Sequence, residues 1–209
     1  MKMSKRSIVT RAAIGTVGGL MLIGVAGAAL ADPLEDDDVA VNVEIAPQEP
    51  VGALTLTVAQ TSTALTEGAA ETDGTRVFNG TLPTVTVTDD RADVPTGVYW
   101  YVTGQASDFT GASDELTAGN LGWTPALLTA EGNGEVTEGE PVDTVLDETP
   151  DSVGLVGEEL LALALDSGEA ATVGTWQANA GLVLKAPAGV TPGSYSSTVT
   201  LTLWEDAIQ

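Results

Sequence analysis

From Val39 onward, apolar and polar residues alternate in short runs with a period of two. In VAVNVEIA, Val39, Val41, Val43 and Ile45 fall on one side, while Asn42 and Glu44 fall on the other. ALTLTVA sets Leu54, Leu56 and Val58 against Thr55 and Thr57. The same alternation returns in TVTVT at 84–88, VYWYV at 98–102 and TVTLTL at 198–203. Two is the repeat of a β-strand, whose successive side chains point to opposite faces. An aliphatic face backed by a threonine-rich one marks a half-buried antiparallel strand, and two facing sheets bury such faces. The expected fold is all-β: an antiparallel two-sheet β-sandwich, immunoglobulin-like, closed by the strand at 198–203.

The intervening residues agree with this reading. In VTPGSY, Pro192 presets one torsion and Gly193 supplies the positive φ of a type II turn leading into the last strand. GEELLALALDSG has helix-forming composition. Its Leu161, Leu163 and Leu165 nevertheless alternate up to Asp166 and Gly168, so it reads as a strand. No helix is expected after the N-terminal region. Residues 131–151 carry eight carboxylates and no base, interspersed with Gly and Pro, and are expected to form a long exposed acidic loop. Residues 39–209 are expected to form a single domain.

The N-terminus bears on location. Lys2, Lys5, Arg6 and Arg11 precede an uncharged run, Ala12–Ala31, that ends in AALADP. Ala29 and Ala31 occupy the small-residue positions of a signal-peptidase site, which places cleavage between Ala31 and Asp32. An uncleaved membrane anchor is the competing reading, since about twenty apolar residues span a bilayer. Glycines at 15, 18, 19, 24 and 27 weaken it. Lys5-Arg6 is not a twin-arginine pair, so ordinary Sec export is expected. The expected product is secreted, with residues 1–31 removed, no membrane span left, and an acidic, disordered leader at 32–38, DPLEDDD.

Cleavage would leave three basic residues, Arg76, Arg91 and Lys185, against thirty acidic ones, a formal charge of −27. Such a surface repels nucleic-acid phosphates and anionic lipids, so no nucleic-acid partner is expected. The chain has no Cys and no His. Disulfides, histidine-based triads, cysteine nucleophiles and imidazole or thiolate metal sites are thereby excluded. Asp89, Asp90 and Asp93 offer oxygens to Ca²⁺ but lack EF-hand spacing. Catalysis would have to use paired carboxylates, as in a glycosidase. No motif singles out such a pair, and a carbohydrate-active enzyme is kept as a remote alternative. No catalytic residue, cofactor or metal ligand is nominated.

Three segments carry a family resemblance: VTVTDDRADVPTGVYWYV, LGWTP and VGTWQANAGLVLKAPAGVTPGSYSSTVTLTL. Together with the signal peptide, they resemble the WxL-type surface domains of Gram-positive bacteria and their actinobacterial relatives. Val87, Asp89 and Arg91 match the family's first element, Trp100 the second, and Pro192, Gly193 and Tyr195 the third. Two positions depart. Leu201, Thr202 and Leu203 stand where the terminal Trp-x-Leu would lie, with Trp204 one position later, and the first motif ends in Val102 instead of Leu. The resemblance implies a non-covalently attached surface protein that contacts peptidoglycan.

Individual residues sort by phase. Trp100 is in step with Val98 and Val102 and is expected in the core. Tyr99 and Tyr101 flank it on the opposite face, and Trp204 falls on the threonine face of the last strand, making these three the candidate contact residues. Asp89 and Arg91, two apart, share a face and are expected to pair structurally. The expected function is a non-catalytic, cell-surface or cell-wall-associated protein that binds a wall polymer or another surface protein. The alternative is a self-associating subunit of a surface layer or fibre.

Overall fold

The computed structural model describes residues 52–113, 115–129, 135–150 and 152–208, which belong to one compact unit, Pro47–Gln209. The signal peptide with its Ala31–Asp32 cleavage point, the acidic leader and the strand at 39–45 lie outside the described residues.

The strands in chain order are β1 (Leu54–Val58), β2 (Thr66–Glu67), β3 (Arg76–Thr81), β4 (Val85–Asp89), β5 (Val98–Ala106) and β6 (Thr110–Gly111). They continue with β7 (Leu121–Leu127), β8 (Val136–Glu138), β9 (Glu159–Ala164), β10 (Thr175–Ala186), β11 (Tyr195–Ser196) and β12 (Val199–Ala207). Every strand pairing is antiparallel. One sheet runs β1-β4-β10-β3-β2, with β7 also on β10; a second runs β12-β5-β9-β8; β11 and β6 form a small third. The all-β, sandwich-like reading of the sequence holds.

The alternation works as the period requires. Along β10, residues alternate between a buried and a more exposed face over its whole length. Along β5, Trp100 and Val102 are buried while Tyr99 and Tyr101 are half-buried. Val85, Val87, Trp123 and Trp176 from the first sheet meet Trp100, Val102 and Leu161 from the second in one core. Each such side chain contributes about 1.5–3 kcal/mol by leaving water, which is how a chain without disulfides holds two sheets together. Trp123 approaches β5 closely because residue 104 is glycine: a Cβ there would sit 2.5 Å from the indole ring.

Three expectations are corrected. The first concerns helix: β9 ends at Ala164, leaving Leu165 outside the strand and 62% exposed, and the Asp166 carboxylate accepts the Gly168 and Glu169 N–H groups (2.7 and 3.1 Å) and caps a short helix, α1 (Ser167–Ala171). The Trp176 indole N–H donates to the Ala170 carbonyl at 3.0 Å, so the core itself anchors that turn. The second concerns the acidic stretch, which is not one exposed loop. Val136 and Val142 are buried, β8 pairs β9, and Val142 exchanges two 2.9 Å backbone hydrogen bonds with Trp123. Two valines among the carboxylates suffice to pin it down. The third is the turn before the last strand: Gly193 is not among the glycines of positive φ, so the type II turn is absent. Glycine is needed there for space, since a Cβ would lie 2.3 Å from that of Ala112.

Candidate functional site

The outward face of the β12-β5-β9-β8 sheet carries the candidate site. On β5 the period of two that buries Trp100 sends Tyr99, Tyr101 and Thr103 to the other face. Register places Trp204 of β12 opposite Tyr101, and Asp206 opposite Tyr99. The result is a row of three rings: Tyr99 to Tyr101 with centroids 5.9 Å apart and planes 20° from parallel, then Tyr101 to Trp204 at 6.2 Å and 19°. Offset stacking at this separation is favourable by about 0.5–1.5 kcal/mol per pair beyond area burial. The Trp204 indole N–H donates to Thr103 Oγ1 at 3.0 Å, which fixes the ring's orientation. Trp204 is 39% exposed and both tyrosines are half-buried. Leu163 of β9, opposite Tyr101 on the other side, is half-buried as well. Apolar ring surface, phenol and threonine hydroxyls and a carboxylate are thus gathered on one ordered patch. Its chemistry suits stacking and hydrogen bonding with an uncharged or basic surface.

The three tryptophan and tyrosine positions nominated for binding therefore meet in space, although Trp204 is 103 residues from Tyr101 in sequence. The motif residues do structural work elsewhere. Trp100 is 1% exposed. Tyr195 donates its hydroxyl to the Thr191 carbonyl at 2.7 Å and lies 2.9 Å from Ser113 Oγ, so it ties the loop before β11 to its neighbour. Leu201 and Leu203 are half-buried on the core side of β12.

Asp89 and Arg91 pair as their spacing suggests, with Nε to Oδ1 at 2.8 Å and Nη2 to Oδ2 at 2.6 Å. Nothing in the local pattern points to their third partner. The same guanidinium grips Glu205 of β12 through Nη1 at 3.0 Å and Nη2 at 2.8 Å, a contact across 114 residues that ties one sheet to the other. Arg91's hydrogen bonds hold the Asp89 carboxyl below the usual aspartate range, while the two carboxylates push the guanidinium up. Asp90 accepts the Ala53 N–H, so two of the three aspartates considered for Ca²⁺ have protein partners. Among the described residues, no group of three or more acidic, His or Cys side chains is placed to hold a metal. Among them, too, no helix is long and apolar enough to cross a membrane.

Comparison with known proteins returned no matching family model, no matching curated protein and no matching solved structure.

Proposed function

We propose that this chain is an exported, non-catalytic surface protein that acts by contact, through the Tyr99-Tyr101-Trp204 row, with a cell-wall polymer or a neighbouring surface protein. The observation that carries this reading is the row itself: three stacked aromatic rings on an outward sheet face, the terminal one held by a hydrogen bond yet exposed. Export rests on the N-terminal pattern, and wall association on the resemblance to WxL-type domains.

The test is co-sedimentation with purified peptidoglycan. Trp204→Ala, alone and with Tyr101→Ala, is expected to weaken retention by about 2 kcal/mol, or about 30-fold, the scale of an aromatic anchor. Circular dichroism should show the β spectrum retained. Wild-type protein that stays in the supernatant, or variants retained as well as wild type, would refute the wall reading. A second reading, self-association, is favoured by the edge of β12 that pairs no strand among the described residues. Size-exclusion chromatography across salt concentrations tests it, and a monomer at every concentration counts against it.

A further inference from the structure

Lys185 is the sole lysine after Lys5, and β10 carries it to a place where two acids meet it. Its Nζ lies 2.5 Å from Asp147 Oδ1, in the acidic stretch, and 2.5 Å from Glu71 Oε1, in the loop between β2 and β3. The lysine side chain is 13% exposed and that of Asp147 21%, so little water reaches their contact. The far oxygen of Asp147 is held as well. Oδ2 accepts the Thr144 N–H at 2.9 Å and the Thr144 hydroxyl at 2.8 Å. That hydroxyl itself accepts the Leu146 N–H at 3.3 Å, which leaves its own proton to point at Oδ2. Thr144 is buried, and the Asn120 side-chain amide donates to the Lys185 carbonyl at 3.0 Å, so both sides of the contact are anchored. An ion pair needs one carboxylate and one amine. Here the amine has a second carboxylate beside it, and the acyl carbon of the first has two donors on its far oxygen.

We propose that Lys185 and Asp147 condense to a side-chain amide, with Glu71 carrying the proton. At rest the contact is ionic. Burial opposes charge on both groups, but the bonds to Asp147 and Glu71 hold Lys185 above the usual lysine range, and those from Lys185 and Thr144 hold Asp147 below the usual aspartate range. Reaction begins when the ammonium passes one proton to Oδ1, giving a neutral amine beside a carboxylic acid, the pair of forms that burial favours. Nζ attacks Cγ, and the charge that develops on Oδ2 is met by the two Thr144 donors. Glu71 takes a second proton from Nζ and returns it to Oδ1, which leaves as water. One Nζ–Cγ bond forms and one Cγ–Oδ1 bond breaks. The protons balance, since an ammonium and a carboxylate become an amide and one water, with no oxidant or other reactant. Groups held in contact react with effective molarities of about 10⁵–10⁸ M, which offsets the weak electrophilicity of a carboxyl group. The bridge ties positions 38 residues apart, in a chain that has no cysteine for a disulfide. The aromatic row takes no part in it.

Mass spectrometry of the full-length chain under denaturing conditions tests this, with fragment ions fixing the N-terminus. Wild type is expected to become lighter than its sequence by one water and to yield, after protease digestion, a branched peptide that joins Asp147 to Lys185. Lys185→Arg and Asp147→Ala are expected to keep the full sequence mass. A water lost by cyclisation at an aspartate would survive Lys185→Arg, so that variant separates the two sources. Glu71→Gln retains a polar partner for the amine but takes no proton from it. Followed after a pulse of synthesis, it should link at least about 100-fold more slowly than wild type, the scale of general acid–base catalysis. Circular dichroism of each variant should show the β spectrum retained, which a merely unfolded variant would not. Wild type that stays at full mass over days overturns the proposal, as does a water loss that persists in Lys185→Arg or a bridge that ends on Glu71. Glu71→Gln that links as fast as wild type overturns the role given to Glu71 and with it the mechanism.

Discussion

Replacing Arg91 with alanine should expose how the two sheets are tied. The guanidinium bridges Asp89, whose side chain is 3% exposed, and Glu205, at 28%, while its own exposure is 15%. Removing it leaves a buried carboxylate without its counter-charge, a loss that typically costs about 3–5 kcal/mol. The Asp89 carboxylate also accepts the backbone N–H of residue 91 at 3.2 Å, which alanine preserves, so the lower end, about 3 kcal/mol, applies. For a domain of this size that is a fall of about 6–12 °C in Tm. Glu205→Gln removes only the more exposed charge and keeps an acceptor, and should cost about 1 kcal/mol. Urea titration followed by tryptophan fluorescence measures both.

The decisive variant is Asp89→Asn in the Arg91→Ala background. If the loss arises from an uncompensated charge, removing that charge should restore stability. The pH dependence follows from the same pair. Because the folded Asp89 carboxyl lies below its ordinary value, its stabilisation is complete above the ordinary aspartate range, about pH 4, and is lost as pH falls through the lowered folded value. The gap between wild type and Arg91→Ala should therefore be widest at neutral pH and close in acid. A gap of under about 1 kcal/mol at neutral pH, or no recovery on adding Asp89→Asn, would refute the argument.

Glu159, at the start of β9, is the opposite case: burial raises its carboxyl above the usual range, so the folded state is penalised above that raised value and unpenalised below the ordinary one. Glu159→Gln should raise Tm at neutral pH, by about 0.5 kcal/mol equivalent, and have no effect near about pH 3, where both states are protonated; equal effects at both pH values would count against this. Gly104→Ala should cost at least about 1–3 kcal/mol, the scale of overpacking a core, with a shift in tryptophan emission as Trp123 is displaced; an unchanged spectrum and midpoint would show that the ring is not seated there. Raising NaCl to about 0.5 M, where the Debye length is near 4–5 Å, should raise Tm by screening the excess of carboxylates, and a Tm that falls with salt would contradict it.

Much of this architecture was legible because a strand's period survives in a single sequence. Leu54–Val58, the Val98–Val102 stretch and the Val199–Leu203 stretch are strands with the expected faces inward, except at Val58, which is 40% exposed. The aromatic row was legible for the same reason, since the phase of Tyr99, Tyr101 and Trp204 fixes their face before their neighbours are known. Pairings between distant segments were not. Nothing in the neighbourhood of Glu205 announces Arg91, and Lys185 meets Glu71 and Asp147 only because β10 passes between the segments that carry them. The acidic stretch misled because composition averages over it: eight carboxylates outweigh three valines and one leucine in a count, whereas burial of Val136 and Val142 is decided residue by residue. Gly193 misled because glycine answers two needs, a left-handed torsion and a lack of volume, and sequence does not separate them.

The placement of the basic residues constrains what the outward face can meet. Arg76 is paired with Glu67, Arg91 with Asp89 and Glu205, and Lys185 with Glu71 and Asp147. These are the only basic residues after Arg11, so every one of them serves as an internal tie and none of their pairs adds net positive charge to the surface. The remaining carboxylates set a field of one sign, against which a phosphate-bearing wall polymer would have to approach uphill. Contact through Tyr99, Tyr101 and Trp204 must then draw its strength from stacking and hydrogen bonds. Within the proposed function, this selects uncharged glycan, or a peptide carrying amino groups, over the anionic polymers of a cell wall. Binding that tightens with added salt would fit a screened repulsion between like charges, whereas binding that weakens steeply would require a cationic partner.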